Sequence, residues 1–384
     1  MKILGIICEY NPLHLGHLRH ITFSKKIYGD DGMVVCVMSG NFTQRGLPAV
    51  TDKYTRAKHA VLSGADAVIE LPVLFSTGSA TDFADGGVKI LDSLDADGIC
   101  CGSECGDGKT IFDLSKKLVN PTLEFNARIK EILAEGENYP TAVSRAEREL
   151  FGSDLLSKPN NLLAVEYQKA IFINKSDMTL FTLRRDSDYN DESADNVSSS
   201  SVRKAFYCDD LIKIKDNVPT YVFNDLSATD RATLKRYREF LPIFLSTMTK
   251  TDLSRIADVT EGLENLLSDN VTLNFDKYVE KIKTRRYTRA KLDRILLYCV
   301  LGIDKKMQTI RQTAKSIPIN LLAIRDDEKV LKNLLPRIEN VNKKNEGNQE
   351  FVTINDLTKK SDRFYNTISN IVYDKTQINR VKKY

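Results

Sequence analysis

Short, nearly continuous apolar runs recur through the first 210 residues, spaced widely enough for a helix between each pair. Residues 2–8 (KILGIIC) form the first, and 33–38 (MVVCVM), 66–71 (DAVIEL), 97–101 (DGICC) and 178–183 (MTLFTL) follow. Runs of this length without polar alternation suit strands buried on both faces of a parallel sheet. The segments between them carry helical periodicity at 53–63, 83–91, 111–119, 123–134, 142–150 and 161–172. The hydroxyl run 198–201 is a helix start ahead of 202–208. An α/β fold with a Rossmann-like parallel sheet is therefore expected over residues 1–210, with ligands at the carboxyl ends of the strands. From about residue 230 the pattern is mainly helical (230–240, 252–269, 274–300), interrupted by strand-like fragments at 320–324 and 350–353 and an exposed Asn/Lys-rich loop near 340–349. This predicts a second, mainly helical domain over 211–384.

Composition narrows the class. The chain has 384 residues, 42% apolar and 28% charged, with a formal charge of +4, so a soluble globular protein is expected and a tail-driven nucleic-acid binder is not. Seven scattered cysteines, an odd number, and no secretory leader point to a reduced, cytoplasmic protein. No apolar run approaches the roughly 20 residues of a membrane span.

The chemistry concentrates after the first strand, in EYNPLHLGHLRH. His14 and His17 are three apart and share one face of a helical turn, with Gly16 between them and free amides at the helix start. Two imidazoles there can stabilise charge developing on a phosphoryl group. Three of the four histidines (His14, His17, His20) lie within seven residues. A metal site is the alternative, but no HExxH pattern follows and the i, i+3, i+6 spacing rotates the third ring away. Cys100, Cys101 and Cys105 lack a fourth soft ligand, so no metal site is assigned. The loop 39–46 (SGNFTQRG) follows the second strand and faces the same cleft, offering Gln44 and Arg45 to substrate. Glu9 is a candidate for orienting His17 or an incoming amine, and Asp82 for substrate contact or a helix cap. A basic stretch supplies the nucleic-acid signal: Lys283, Arg285, Arg286, Arg289, Lys291 and Arg294 face only Asp293 over twelve positions, with Tyr287 among them. Read as a helix, Lys283, Arg286, Arg289 and Arg294 share an arc suited to phosphates, with Tyr287 free to stack on a base. Lys359, Lys360 and residues 380–383 add to the field.

The wider text, GIICEYNPLHLGH, VMSGNFTQRGLPAV, DAVIELP, CGSE, KPNN and SSSSVRKA, resembles the bacterial tRNA(Met) cytidine acetate ligase family of the HxGH nucleotidyltransferases. The resemblance implies an enzyme that activates acetate with ATP, together with Mg2+, and acetylates N4 of the wobble cytidine of elongator tRNA(Met). It implies that residues 1–210 bind ATP and acetate and that 211–384 contribute to tRNA binding. It also implies a nucleotide loop running through Ile7, Cys8, Glu9, Tyr10, Asn11, Pro12, Leu13, His14, Leu15, Gly16, His17, Leu18, Arg19 and His20, with His14 and His17 catalytic. Gly102 and Asn161 match nucleotide-contacting positions. Arg184 matches an ATP-binding arginine by its spacing to Tyr189, with Arg185 the neighbouring candidate, and Ser200 to Arg203, with Ser201 among them, resembles a phosphate-binding helix start. Leu13 and Leu15 stand where the family pattern NPFHNGH has phenylalanine and asparagine. Asp52 stands where serine is common, leaving a contact from Lys53 open. A small-molecule nucleotidyltransferase shares the HxGH loop and is the alternative, though it has no need of the helical second half.

Overall fold

The computed structural model describes residues 1–185, 198–260, 262–371 and 379–382. Seven strands form one sheet: β1 (Lys2–Cys8), β2 (Gly32–Ser39), β3 (Ala67–Leu71), β4 (Gly98–Ser103), β5 (Thr179–Arg184), β6 (Leu321–Arg325) and β7 (Asn379–Val381), in the spatial order β5-β4-β1-β2-β3-β6-β7. The first five are parallel, and β1 to β4 are buried on both faces while β5 forms a partly exposed edge. Alternate side chains feed two cores. Ile3, Ile7, Val35, Val37 and Ile69 meet the helices Ala80–Ser93 and Pro159–Ile173, while Ile6, Val34, Cys36 and Val68 meet Lys53–Leu62, Ser199–Tyr207 and Thr220–Ala228.

The sheet does not stop at residue 210. β6 pairs antiparallel with β3, and β7 pairs with β6. Tyr237, Leu296 and Ile354 from the helical half lie in the same core as Ile3 and Val37. Four expected elements differ. The segment 350–353, strand-like through its valine and threonine, lies in the helix Gln349–Ser369, because Phe351, Ile354 and Leu357 at helical spacing have a core to meet. The Asn/Lys-rich stretch is helical to Asn345 before a short turn. Residues 252–269 split into Lys250–Arg255 and Leu263–Asp269, and 274–300 into Phe275–Ile282 and Arg289–Leu301. Among the described residues no helix is long and apolar enough to cross a membrane.

Candidate active site

Chain order reverses between β1 and β4, and a cavity of about 260 Å³ opens at their carboxyl ends. Beyond β1 the chain turns sharply: Tyr10 adopts φ 46° and the Asn11–Pro12 peptide is cis. The helix Leu15–Tyr28 then starts on an unusual cap. The Gly16 amide donates to Nδ1 of His14 at 3.1 Å, and the His14 amide donates to Nδ1 of His17 at 3.3 Å. This is the reciprocal capping box, built from two imidazoles in place of a hydroxyl and a carboxylate. Because both Nδ1 atoms accept, both protons sit on Nε2. The rings stack with centroids 3.8 Å apart. A Cβ on Gly16 would lie 2.9 Å from the His14 ring, so this glycine is needed by the histidine itself. Burial, with help from Arg185 and Arg203, lowers the His14 pKa to about 4. His17 is likewise lowered by burial, then by His14 and Arg185. Both are therefore neutral donors at pH 7.

His17 and His20 line the cavity with Ile7, Cys8, Glu9, Tyr10, Asn11 and Gly16, whereas Pro12, Leu13, His14, Leu15, Leu18 and Arg19 do not. Leu13 is fully buried, and His14, only 3% exposed, stands behind His17. Gln44 reaches the wall, its amide donating to Oε1 of Glu9 at 2.7 Å, and Arg45 is exposed beside it. Glu9 thus holds the 39–46 loop.

Gly102 lines the opposite wall. Arg184 and Arg185 are adjacent residues facing opposite ways. Arg185 enters the cavity and donates to Oδ1 of Asn160 at 3.0 Å, while Arg184 is exposed against Gly106. The register judged from Tyr189 rests on a residue outside those described. Asn161 lies behind the wall: its Oδ1 accepts from the Ser103 hydroxyl at 2.8 Å and the Cys105 amide at 3.1 Å, stapling the turn after β4. Its neighbour Asn160 faces the cavity, held by Glu104, which also accepts the first amides of helix Pro159–Ile173. Ser201 is turned away, its hydroxyl donating to the Ser198 carbonyl. Ser199 and Arg203 from the same helix line the cavity, and Arg203 donates to the Asn11 carbonyl at 2.7 Å.

Three features were missed in the sequence. Asn160 and Tyr167 were one residue and nearly two turns away from Asn161, the residue chosen on their helix. Arg56 had no signal: it is fully buried and donates to the carbonyls of Thr51, Glu9, Ser39 and Gly40, bracing the ends of β1 and β2. Lys53 is no ligand contact, because its ammonium is buried between Glu70 and Asp362. Asp82 closes a capping box with Ser79 and faces Arg311. Cys100 meets His20 Nε2 at 3.3 Å, whereas Cys101 points into the cavity.

The basic stretch is not one helix. Residues 283–288 are a connector between two helices, and Thr288 caps the second, so the arc of Lys283, Arg286, Arg289 and Arg294 does not form. Tyr287 is 6% exposed, its hydroxyl donating to the Thr260 carbonyl at 2.9 Å, and is not available for stacking. Arg289 is engaged by both oxygens of Asp293 at 2.9 Å. Lys283, Arg285 and Arg286 are exposed, Lys360 donates to the Leu301 carbonyl, and Lys383 lies outside the described residues.

A Rossmann-type sheet with a histidine-capped helix at its switch point defines a nucleotide-transferring enzyme. The HIGH Nucleotidyl Transferase family model matches residues 1–380, and the chain belongs to that family. Within it, the chain is 38% identical over 332 residues to the tRNA(Met) cytidine acetate ligase of Clostridium perfringens, covering 82% of each. It is 39% identical to the enzyme of that name from Acetivibrio thermocellus over 329 residues, 80% of this chain and 78% of that one. The crystal structure of Thermotoga maritima TmcAL bound with alpha-thio ATP superposes with TM-score 0.88 at 26% identity over the whole of both chains, and its apo form with 0.89 at the same identity and coverage. The protein is an ATP-dependent enzyme of the nucleotidyltransferase and ligase class.

Proposed function

We propose that the enzyme joins acetate to ATP as acetyl-adenylate and transfers the acetyl group to N4 of the wobble cytidine of elongator tRNA(Met). The observation that carries this reading is the cavity itself. A neutral, Nε2-protonated His17 faces the same space as Arg185 and Arg203, and no ion pair among the described residues engages either guanidinium. Donors of that kind suit a triphosphate whose α-phosphorus is attacked.

The phosphates lie against His17, Arg185 and Arg203, with the adenine toward Gly102. Arg185, steadied by Asn160, replaces Arg184 in this role. His14 acts through the ring it stacks on. Acetate supplies the attacking oxygen and pyrophosphate leaves, so the protein contributes alignment and charge stabilisation. The cytidine amine then attacks the acetyl carbon, AMP departs and the amine sheds a proton. Magnesium would neutralise the β and γ phosphates when bound. Among the described residues Glu9 is the one carboxylate on the wall, and it would hold the ion with phosphate oxygens and water. Residues 1–210 carry most of the cavity, residues 211–384 receive the tRNA, and the reaction belongs to the cytoplasm, where charged tRNA is used.

The test is nucleoside mass spectrometry of methionine tRNA incubated with the enzyme, ATP, magnesium and isotope-labelled acetate. Labelled N4-acetylcytidine, lost in His17→Ala, is the expected product. ATP consumption without a labelled nucleoside refutes the acceptor or the acid.

A further inference from the structure

Three segments distant in sequence meet at Gly46. The Tyr237 hydroxyl donates to the Gly46 carbonyl at 3.1 Å. A Cβ on Gly46 would lie 2.6 Å from the Arg294 backbone, so the loop sits directly on the first turns of helix Arg289–Leu301. Each of the three segments carries an arginine beside this junction: Arg45, Arg238 and Arg294. The residue before Arg45 is Gln44, on the cavity wall. Arg45 acts electrostatically on Arg203 of the cavity wall, and Arg238 and Arg294 both act on Asp293, which puts the three charges around this junction beside the site.

None of the three is engaged by a carboxylate at ion-pair distance among the described residues. Elsewhere on the surface arginines are engaged by acids: Arg128 by Glu131 and Glu149, Arg145 by Glu135, and Arg236 by Asp230. Arg45, Arg238 and Arg294 have no ion pair among the described residues, and the buried Nε of Arg238 and of Arg294 has no hydrogen-bond partner. Asp293, which feels the charges of Arg238 and Arg294, has both oxygens hydrogen-bonded by Arg289. The guanidinium groups of Arg238 and Arg289 both lie near the Phe275 ring, at 5.6 and 5.7 Å from its centroid, a cation–π contact that helps position Arg238. Arg238 and the wall residue Arg203 both act electrostatically on Tyr207, so Arg238 lies on the same side of the site as Arg203.

We infer that Arg45, Arg238 and Arg294 form the track that holds the RNA phosphate backbone at the cavity mouth, in place of the 283–289 segment. Pre-positioned guanidinium forks without carboxylate partners match phosphate oxygens and supply affinity independent of base sequence. The inference rests on the tRNA reading above and places its anchoring surface.

Fluorescence anisotropy of labelled methionine tRNA over a series of KCl concentrations tests it, with ATP affinity by calorimetry in parallel. The pair Arg238→Ala/Arg294→Ala should weaken tRNA binding about tenfold and flatten the slope of log K against log salt by about 1.5, the loss of two phosphate contacts. ATP affinity should stay within twofold, which also reports an intact fold. Arg238→Lys/Arg294→Lys should recover most of the slope, because it restores charge. Arg285→Ala/Arg286→Ala should change the slope by less than half as much. The inference is overturned if the alanine pair keeps the wild-type affinity and slope, or if the 285/286 pair has the larger effect. A wild-type enzyme that binds ATP but no tRNA would instead sink the functional reading on which it stands.

Discussion

Lys53→Met separates a structural lysine from a ligand-binding one. The Lys53 ammonium is 2.8 Å from each oxygen of Glu70 and 2.6 Å from Asp362, and Lys53 and Glu70 are 2% and 1% exposed. Burial alone would lower the Lys53 pKa, but the charges of Glu70 and Asp362 outweigh it and raise it, so the cation is present across the physiological range. Its removal leaves two carboxylates facing each other with little water. Breaking a buried ion pair on one side costs about 3–5 kcal/mol. With an unfolding entropy of about 0.8 kcal/mol/K for a chain of this length, the melting temperature should fall by roughly 4–6 °C. Lys53 is not on the cavity wall, so ATP affinity should change by less than about twofold, within the scatter expected for a distant site. Replacing Glu70 and Asp362 with Leu together with Lys53→Met should recover most of the loss, because an apolar cluster carries no desolvation cost. Differential scanning fluorimetry and ATP titration calorimetry read both quantities. A Lys53→Met variant that melts as wild type while losing ATP binding would refute the reasoning.

Arg185→Ala should weaken ATP binding at least tenfold and Arg184→Ala by less than twofold, measured by calorimetry, since only Arg185 enters the cavity. Gly46→Ala should destabilise the fold by about 2 kcal/mol or more in urea unfolding, because φ there is 72° and a Cβ would strike the Arg294 backbone. The His14 pKa of about 4 lies below the ~6.5 of an unfolded chain, so between those values the unfolded state binds the extra proton. Stability of the ligand-free enzyme is therefore complete above about pH 6.5 and should fall by roughly 3 kcal/mol from this group as pH drops toward 4. Urea unfolding across that range should show a shallower fall in His14→Asn, which keeps a cap acceptor but cannot titrate.

Four of the five parallel strands were legible as apolar runs buried on both faces, and the pattern of 2–8 or 33–38 allows little else. At the sheet edge and only partly buried, β5 was legible from its apolar run alone. The motif loop was legible for a related reason. A strand end, a proline turn and His-x-Gly-His are local features, and the cavity forms where they predict. Asn160 stood one residue from the position chosen, because which of two adjacent helical residues faces a cavity depends on how the helix docks. The same applies to Arg184, the last residue of β5, and Arg185 just beyond it, which point different ways.

The basic stretch shows where local reading ends. Residues 274–300 hold enough helical periodicity to read as one helix, yet Thr288 caps a new one and Tyr287 turns inward to Thr260, a partner 27 residues away. The segment 350–353 has β-branched residues, but Phe351, Ile354 and Leu357 find a core only once the sheet exists. Composition, periodicity and the motif thus determined the class of fold, the strand that carries the site and the chemistry at its end. Contacts between remote segments decided the rest: β6 closing on β3, Asp362 reaching Lys53, and Tyr237 and Arg294 meeting at Gly46. Such pairings depend on the order in which elements stack, and no local window of sequence contains both partners.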